Sequence, residues 1–253
     1  MTDRLRHSLL PASRTDCTPG FVLHSYPFRE TSLIVESFTR DYGRVALVAR
    51  GARRPRSQLR GLLQAFTPLL LSYAGKNELR TLHKAEWQGG VTLPQRLGLL
   101  CGFYINELML KLLARDDPHP GLFEAYTDAL QKLGAAGLIQ TDYAIILRRF
   151  EQRLLAELGY AQPFTHEADS GSAIIAHRSY RYFCERGALP AAAGESASGL
   201  VLRGKTLLDL AQDNYDDPAS LAQSKQLMRH IINHHLGGQT LHARELLKDL
   251  QQL

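Results

Sequence analysis

The densest set of chemically active side chains in this sequence is a run of arginines. Its five members lie within eleven residues: Arg50, Arg53, Arg54, Arg56 and Arg60. Guanidinium groups are rarely buried without an anionic partner, and their donors match phosphate oxygens in pairs. The run therefore predicts a surface that binds a polyanion such as nucleic acid, with a merely solvated basic loop as the alternative.

The element that must position these arginines is the apolar segment before them, Val45 to Ala49, which has the composition of a buried strand. Gly51 and Pro55 interrupt regular structure directly after it. We therefore expect the arginines to lie on a loop beside a rigid sheet, an arrangement typical of binding surfaces.

Short apolar runs separated by turn residues fill the chain from Gly20 to Trp87. The five runs are FVLHSY, SLIVESF, RVALVAR, TPLLLSY and LRTLHKAEW. Two of the breaks, at Asp41–Gly43 and Ala74–Asn77, have the composition of tight turns, and the arginine-rich break is longer. The pattern predicts an OB-type β-barrel of five strands. An SH3-like barrel, which has a similar number of short strands, is the alternative.

After Gly89–Gly90 the apolar period changes from two residues to about 3.6, which indicates helices and a domain boundary. We predict an α+β chain with a barrel domain at residues 1–88 and an all-α helical domain at 89–253. The expected helices open at Pro94, run from Leu122 to Leu133, follow a Thr141 N-cap to Gly159, and cover Thr206–Gln212 and Pro218–Leu236.

Two parts of the helical domain are less regular. Residues 160–198 are rich in glycine and proline and predict an irregular insertion with one short hairpin around SYRYFCERGAL. The terminal segment ARELLKDLQ predicts a short amphipathic helix, and Leu246, Leu247 and Leu250 on it need another surface to cover them.

The excess of positive over negative charge lies entirely in the first third of the chain. Up to Trp87 there are 14 Lys+Arg against 7 Asp+Glu, a net +7, and the remaining 16 against 18 give −2. If nucleic acid binds, we expect the N-terminal domain to meet it first. The absence of a long apolar segment and of paired cysteine spacings predicts a cytoplasmic protein with reduced thiols and no association with membranes.

The segment Gly199–Thr206, GLVLRGKT, matches the phosphate-loop pattern GxxxxGK[ST] letter for letter. In a true phosphate loop the buried strand precedes the first glycine, whereas here the apolar residues lie inside the supposed loop. The order favours a short strand that feeds a helix through Gly204. A nucleotide hydrolase using Lys205 and Thr206 is retained as an alternative.

His230 and His234 lie one helical turn apart and could both bind a metal ion. Ile231 stands where a zinc protease has its glutamate, and no third ligand is evident. Ordinary histidines near a helix C-terminus are the favoured interpretation. We find no catalytic residues and expect no enzyme activity, no cofactor and no metal.

A cluster of arginines on the third predicted helix offers a second anion-binding surface. Arg149 and Arg153 share a face at four-residue spacing, and Arg148 and Phe150 lie beside them. They could clamp a carboxylate next to an apolar pocket, against the alternative of an ordinary solvated helix face.

The chain resembles the RecO family of bacterial recombination mediators. The resemblance rests on GFVLHSYPFRETSLIVESFTRDYGRVALVARGARRPRS, on LRRFEQRLLAELGY and on GGQTLHARELLKDL, which follow one another in the expected order. It implies an N-terminal OB fold followed by a helical domain. Many family members also carry a four-cysteine zinc site after LGY, whereas that region here holds only Cys184, and His166 and His177 are the other residues there that could bind zinc. We therefore predict no structural zinc.

The resemblance also implies activities and partners. Family members bind single- and double-stranded DNA, anneal complementary strands and help load RecA recombinase onto DNA covered by single-stranded-DNA-binding protein. Their partners include RecR and the acidic C-terminal tail of single-stranded-DNA-binding protein. The latter suits the predicted tail-binding residues Arg148, Arg149, Phe150 and Arg153. A scaffold that binds an acidic protein and never touches DNA is the remaining alternative.

Under this hypothesis the basic residues of the barrel domain neutralise DNA phosphates without regard to sequence. The predicted DNA-binding residues are Arg40, Arg44, Arg50, Arg53, Arg54, Arg56, Arg60 and Lys84. Tyr26, Phe28 and Tyr42 are candidates for stacking on bases, although each could equally be a barrel residue.

Overall fold

The computed structural model describes residues 14–161, 163–191 and 199–250, with side chains as far as residue 246. It divides into two compact units. Among these residues, the first unit contains those up to Val91 together with Leu113–Phe123, and the second contains Thr92–Leu112 and those from Glu124 onward. The return of Leu113–Phe123 to the first unit is a feature that periodicity along the chain could not reveal.

The first unit is a closed barrel of five strands. Its elements are β1 (Arg14–Phe28), β2 (Ser32–Thr39), β3 (Gly43–Ala49), α1 (Leu59–Leu62), β4 (Pro68–Ala74) and β5 (Leu79–Trp87). The strand order is β1-β2-β3-β5-β4, with β3 and β5 parallel and the other pairs antiparallel. This order, with a helix between β3 and β4, is that of the OB fold and not of an SH3-like barrel. The predicted fold class is confirmed.

Buried apolar residues from all five strands fill the interior of the barrel, and along β3 and β4 they occupy alternate positions. The inward set is Val22, Val35, Val45, Leu47, Ala49, Leu69, Leu71, Tyr73, Leu82 and Ala85. Ala52 and Leu63 belong to the same core although they lie outside the strands. Ala52 lies near the start of the arginine loop, which runs from Arg50 to Arg60, and Leu63 follows the loop, so the loop is fixed to the barrel near both ends.

The second unit consists of helices and one small sheet. Its elements are α2 (Leu97–Leu112), α3 (Pro120–Leu133, of which the first turn belongs to the first unit), α4 (Gln140–Glu157), β6 (Ser179–Phe183), β7 (Gly187–Pro190), β8 (Leu200–Arg203), α5 (Gly204–Ala211), α6 (Pro218–His235) and α7 (His242–Leu250). The predicted helices are therefore present with small shifts at their ends. None of the described helices is long and apolar enough to cross a lipid bilayer.

Two local predictions need correction. Thr141 is not the N-cap of α4, because the helix begins at Gln140 and its N-cap residue is Ile139. The Asp142 carboxylate accepts a hydrogen bond from the Ile139 N–H at 2.9 Å. The predicted hairpin is present as β6 and β7, but β8 pairs with the other edge of β6 to make a sheet of three antiparallel strands. Most of the low-complexity stretch, residues 192–198, lies outside the described residues.

The C-terminal helix α7 docks on α2, as its amphipathic pattern predicts. The Glu107 carboxylate accepts hydrogen bonds from the backbone N–H groups of His242 at 2.9 Å and Ala243 at 2.8 Å, and so caps the first turn of α7. Lys111 donates to the Thr240 carbonyl oxygen beside it. The prediction that Leu246 is covered is wrong, because its side chain is exposed, and the side chains of Leu247 and Leu250 lie outside the described set.

Candidate functional site

The arginine loop forms an ordered, exposed surface at one end of the barrel. Consecutive turns shape it, with backbone hydrogen bonds from Arg54 to Gly51 at 3.1 Å and from Ser57 to Arg54 at 3.0 Å. Arg50, Arg53, Arg54, Arg56 and Arg60 are all exposed. Within the described part of the chain, no recorded ion pair joins any of these five guanidiniums to a carboxylate. Their charge is therefore available to an external anion.

The turn between β1 and β2 supports the loop from one side. The Arg53 N–H donates to the Thr31 carbonyl oxygen at 2.9 Å, and the Arg53 guanidinium reaches the Glu30 carbonyl oxygen at 3.3 Å. Arg29 in this turn is exposed, and its guanidinium lies 5.2 Å from the centre of the Phe28 ring. Sequence reasoning missed Arg29, because it is 24 residues from Arg53 along the chain and only the barrel brings them together.

The aromatic candidates fall at different places on the barrel. Tyr26 is 46% exposed and faces outward, in register with Ile34 of β2, which pairs with Val48 of β3. Val48 lies two residues before Arg50, so Tyr26 is beside the end of the barrel that carries the arginine loop, called here the arginine end. Tyr42 is 43% exposed, but it precedes β3 and therefore lies at the strand's other end. Of these two tyrosines, only Tyr26 adjoins the arginine loop.

The remaining predicted DNA-binding residues do not join the loop. Arg40 is exposed in the turn before β3, at the end of that strand opposite to Arg50. A strand of seven residues separates the two by roughly 20 Å. Lys84 is exposed on β5 opposite Ser72, and its ammonium pairs with the Glu86 carboxylate at 2.8 Å.

Arg44 was predicted to contact DNA, but it is held inside the first unit. Its side chain is 16% exposed and lies 3.8 Å from the Glu36 carboxylate. Burial lowers the pKa of Arg44, although the Glu36 carboxylate acts in the opposite direction. Arg44 therefore serves a structural pair and cannot present its guanidinium to a phosphate.

The partner that covers Arg44 is the segment Leu113–Phe123. Arg115 on this segment also pairs with Glu36, and the Asp116 N–H donates to the Arg44 carbonyl oxygen at 2.9 Å. Gly43 has φ +65°, and a Cβ atom there would lie 1.9 Å from the Asp117 carbonyl oxygen. Only glycine permits this close approach. The segment thus covers the barrel face near the start of β3 and leaves the arginine end open.

The phosphate-loop match does not form a phosphate loop. Leu200–Arg203 is strand β8, and α5 begins at Gly204, as the order of apolar residues favoured. The Lys205 ammonium pairs with the Asp209 carboxylate at 2.5 Å, and the buried Thr206 hydroxyl donates to Gln223 at 2.6 Å. A nucleotide hydrolase based on Lys205 and Thr206 is therefore not supported, because both groups are used within the fold.

The histidines of α6 contact neighbouring side chains instead of forming a ligand set. The His235 ring stacks on Tyr160 with centroids 3.7 Å apart, and His234 lies 3.9 Å from the Glu185 carboxylate. Burial and the adjacent His234 lower the pKa of His230. Over the residues with described positions, no three His, Cys, Asp or Glu side chains are grouped to hold a metal ion.

The predicted tail-binding residues point to different parts of the second unit. Phe150 is buried in the core, where it packs against Tyr126, so it cannot contact a partner. Arg149 is already engaged by both carboxylate oxygens of Asp213, at 2.8 and 3.0 Å. Arg153 pairs with Glu157 at 2.6 Å. The predicted clamp between Arg149 and Arg153 is therefore occupied from within the chain.

Arg148, the fourth member, lines a separate cavity of about 320 Å³ between α2, α4, α6 and α7. Its apolar wall is formed by Leu97, Tyr143, Ala144, Leu147, Pro218, Leu221 and Ala222. Three further cations, Lys225, Arg229 and Arg244, also line it. The cavity combines an apolar interior with basic groups from several helices, which suits an anionic ligand that also carries an apolar group. Sequence reasoning missed the last three residues, because α6 and α7 follow α4 after long connections.

Two family models match consecutive parts of this chain. The family model described as "Recombination protein O N terminal" matches residues 16–90, and the one described as "Recombination protein O C terminal" matches residues 94–245. The first range coincides with the barrel strands and the second with the helices and the small sheet.

Curated relatives give the same result over nearly full length. The DNA repair protein RecO of Nitrosospira multiformis is 55% identical over 240 residues, which is 95% of this chain and 98% of that protein. The proteins of the same name from Thiobacillus denitrificans and Aromatoleum aromaticum are 50% and 51% identical. Each comparison covers 95% of this chain, with 94% and 98% of the respective relative.

Proposed function

We propose, from the premise that this chain belongs to the RecO family of DNA repair proteins, that it is a recombination mediator without catalytic activity. In this role it binds single- and double-stranded DNA, anneals complementary strands and assists RecA loading onto DNA covered by single-stranded-DNA-binding protein. RecR is its expected partner in the same process.

The observation that supports DNA binding most strongly is the exposed arginine loop on an OB barrel. OB folds bind nucleic acid across strands β2 and β3 and at the loops beside them. Tyr26 of β1 lies beside that face, in register with Ile34 of β2, and Arg29 and the five loop arginines adjoin it. Phosphates are neutralised by the guanidiniums, and an unstacked base can lie on the Tyr26 ring.

Annealing follows from the same surface. Two complementary strands repel each other through their phosphates, and a shared set of cations lowers that repulsion while leaving the base edges free. The proposed interface makes no base-specific contact, so it serves any sequence.

Delivery to coated DNA is assigned to the cavity in the second unit. We assign the acidic C-terminal tail of single-stranded-DNA-binding protein to this cavity, with Lys225, Arg229 and Arg244 facing its carboxylates and Arg148 buried in the cavity wall. The apolar wall would pack against apolar side chains of the bound segment. Arg148 of the predicted set is thus a buried residue of the cavity wall, paired with Glu151, and the cations proposed to contact the tail directly are those of α6 and α7.

The loop is tested by a salt titration of DNA affinity. If about six cations contact duplex phosphates, a plot of the logarithm of the DNA association constant against the logarithm of the salt concentration has a slope of about −5. Single strands give a shallower slope. The variant with Arg53, Arg54 and Arg56 changed to Ala should bind more weakly, with a slope about three units shallower. Fluorescence anisotropy with labelled oligonucleotides measures both.

A matched control removes the same charge from the second unit, with Lys132, Arg178 and Arg186 changed to Ala. These side chains are exposed and lie outside the proposed interface and the cavity. The control should retain the parent affinity and slope. Equal losses in the two variants would reject the loop as the binding surface, and the absence of DNA binding in the parent protein would favour the scaffold alternative.

A further inference from the structure

A buried ion pair lies against the cavity in the second unit. Glu151 on α4 is 1% exposed and Arg148, one turn earlier, is 6% exposed. The Arg148 guanidinium donates to Glu151 Oε1 at 2.6 Å, and the Tyr104 hydroxyl of α2 donates to the same oxygen at 2.6 Å. All three residues line the cavity proposed above for the acidic tail.

The hydrogen bonding of this pair is incomplete. Glu151 Oε2 and Arg148 Nε are both buried, and neither has a hydrogen-bond partner among the described residues. A buried carboxylate oxygen without a donor is costly, which disfavours the ionised form. Burial raises the pKa of Glu151, and the opposing effects of Arg148 and the Tyr104 hydroxyl do not cancel it.

Ionisable groups from four helices surround Glu151 and the cavity. They are Cys101 and Tyr104 on α2, Arg148 on α4, Lys225 and Arg229 on α6, and Arg244 on α7. Burial raises the pKa of Cys101 to about 12 and also raises that of Tyr104, so both stay neutral near pH 7. Near pH 7, Glu151 is therefore the one acidic group among the described residues beside this cavity that can ionise, and cations on three helices surround it. These cations favour the ionised form of Glu151.

An anionic peptide in the cavity would change this balance. The carboxylates of the peptide would offset part of the positive potential that Arg148, Lys225 and Arg244 produce at Glu151. They would also add negative charge near Glu151. Carboxylates that share a site with restricted access to water do not all ionise, and the one with the higher pKa takes up a proton. Glu151 is that group, because it is the most deeply buried.

We propose that Glu151 is a positioning residue that takes up a proton from solvent when an acidic peptide binds in the cavity, so that the Arg148–Glu151 pair changes from neutral to net cationic. The ligand class is an anionic peptide segment with free carboxylates. This inference depends on the proposed binding of the acidic tail and adds its regulation by pH.

The sign of the effect follows from linkage. Because the bound state holds the additional proton, affinity rises as pH falls. As pH rises from the pKa of Glu151 in the free protein to its higher pKa in the complex, the dissociation constant of the peptide increases by up to about tenfold for each pH unit.

Isothermal titration calorimetry of the full-length protein tests the proposal. The probe is a synthetic peptide of about ten residues that copies the acidic C-terminal end of single-stranded-DNA-binding protein. Titrations from about pH 5.5 to about pH 8, in buffers with different ionisation enthalpies, count the protons taken up on binding. We expect uptake of up to about one proton and at least about tenfold weaker binding at the upper end.

The variant Glu151→Gln isolates the residue. Glutamine keeps the shape and an acceptor for Arg148 and Tyr104, but it cannot take up a proton. The variant should bind without the Glu151-linked uptake, with a nearly constant affinity that matches or exceeds that of the parent at high pH. Glu157→Gln on the same helix pairs with Arg153 outside the cavity and serves as the control, with uptake unchanged.

If Glu151→Gln does not fold, a second variant can still test the proposal. Tyr104→Phe removes the hydroxyl that donates to the ionised form of Glu151, so it should shift the window of proton uptake to higher pH. Binding by the parent with a flat pH profile and no proton uptake would overturn the role of Glu151 and leave the tail site standing. An absence of binding at every pH would overturn the tail site itself.

Discussion

The main-chain N–H of Arg53 donates to the carbonyl oxygen of Thr31 at 2.9 Å, so the arginine loop and the turn between β1 and β2 form one continuous surface. Because the bond is between backbone groups, it is retained when the Arg53 side chain is replaced, although the contact of the guanidinium with the Glu30 carbonyl oxygen is lost. Substitution of the loop arginines should therefore remove charge while preserving the fold, which makes the salt titration interpretable.

Ala52 fixes the loop to the barrel from below, and it is fully buried in the core. The substitution Ala52→Leu adds volume to a packed site and is expected to lower the free energy of unfolding by about 1–3 kcal/mol. DNA affinity should also fall, although no charge is removed. Urea unfolding and anisotropy measure the two effects. Ala136→Leu, at an exposed position, should change neither.

Tyr26 and Tyr42 provide a matched pair for base stacking, because they are 46% and 43% exposed but lie toward opposite ends of β3. Tyr26→Ala is expected to weaken single-strand binding by about 1–3 kcal/mol, the usual contribution of one stacked base. Tyr26→Phe should retain most of the affinity. If Tyr42→Ala has the larger effect, the DNA path proposed here is incorrect.

Glu36 lies between the guanidiniums of Arg44 and Arg115 and is 5% exposed. Glu36→Ala leaves two cations facing each other, so we expect a loss of about 3 kcal/mol in the free energy of unfolding. The double variant Glu36→Ala/Arg115→Ala should recover part of that loss. Chemical denaturation compares the three proteins, and an additive double variant would show that the pair is not coupled.

Glu107 predicts acid sensitivity in the attachment of α7. Burial alone would raise its pKa, but hydrogen bonds from Ala243 and His242 and the neighbouring Lys111 outweigh burial, so the pKa is lowered. A lowered pKa in the folded state stabilises the fold above the ordinary glutamate pKa of about 4.3, and this stabilisation is lost as pH falls through the folded value.

The variant Glu107→Gln should therefore show a flatter dependence of unfolding free energy on pH below about pH 5 than the parent. At neutral pH it should be less stable by about 1 kcal/mol, as for loss of a helix cap. Urea unfolding at a series of pH values measures both. Glu124→Gln, at an exposed position on α3, is the control. Parallel curves for parent and Glu107→Gln would contradict the prediction.

Lys205→Ala distinguishes the mediator from a nucleotide hydrolase. Lys205 pairs with Asp209 and Asp217, so its removal should leave strand annealing and DNA affinity unchanged. Annealing of complementary oligonucleotides, with and without ATP, provides the measurement. ATP turnover by the parent that disappears in Lys205→Ala would restore the hydrolase hypothesis.

The sequence by itself determined the elements, because each depends on local chemistry. Alternating apolar residues from Gly20 to Trp87 predict five strands, and the change of period after Gly90 predicts helices, as the structure shows. The exposure of Arg50 to Arg60 could also be predicted, since five adjacent guanidiniums cannot share one core. The order of apolar residues around Gly204 was enough to favour a strand over a phosphate loop.

Only the tertiary structure decided which cations face outward and which lie together. Arg44 has the same local signature as Arg50, yet Glu36 and Arg115, 8 and 71 positions away, hold it inside. Arg148 and Arg149 are adjacent, but one lines a cavity and the other pairs with Asp213. Charge type is a property of one residue, whereas burial and pairing depend on segments that meet only when the chain has folded.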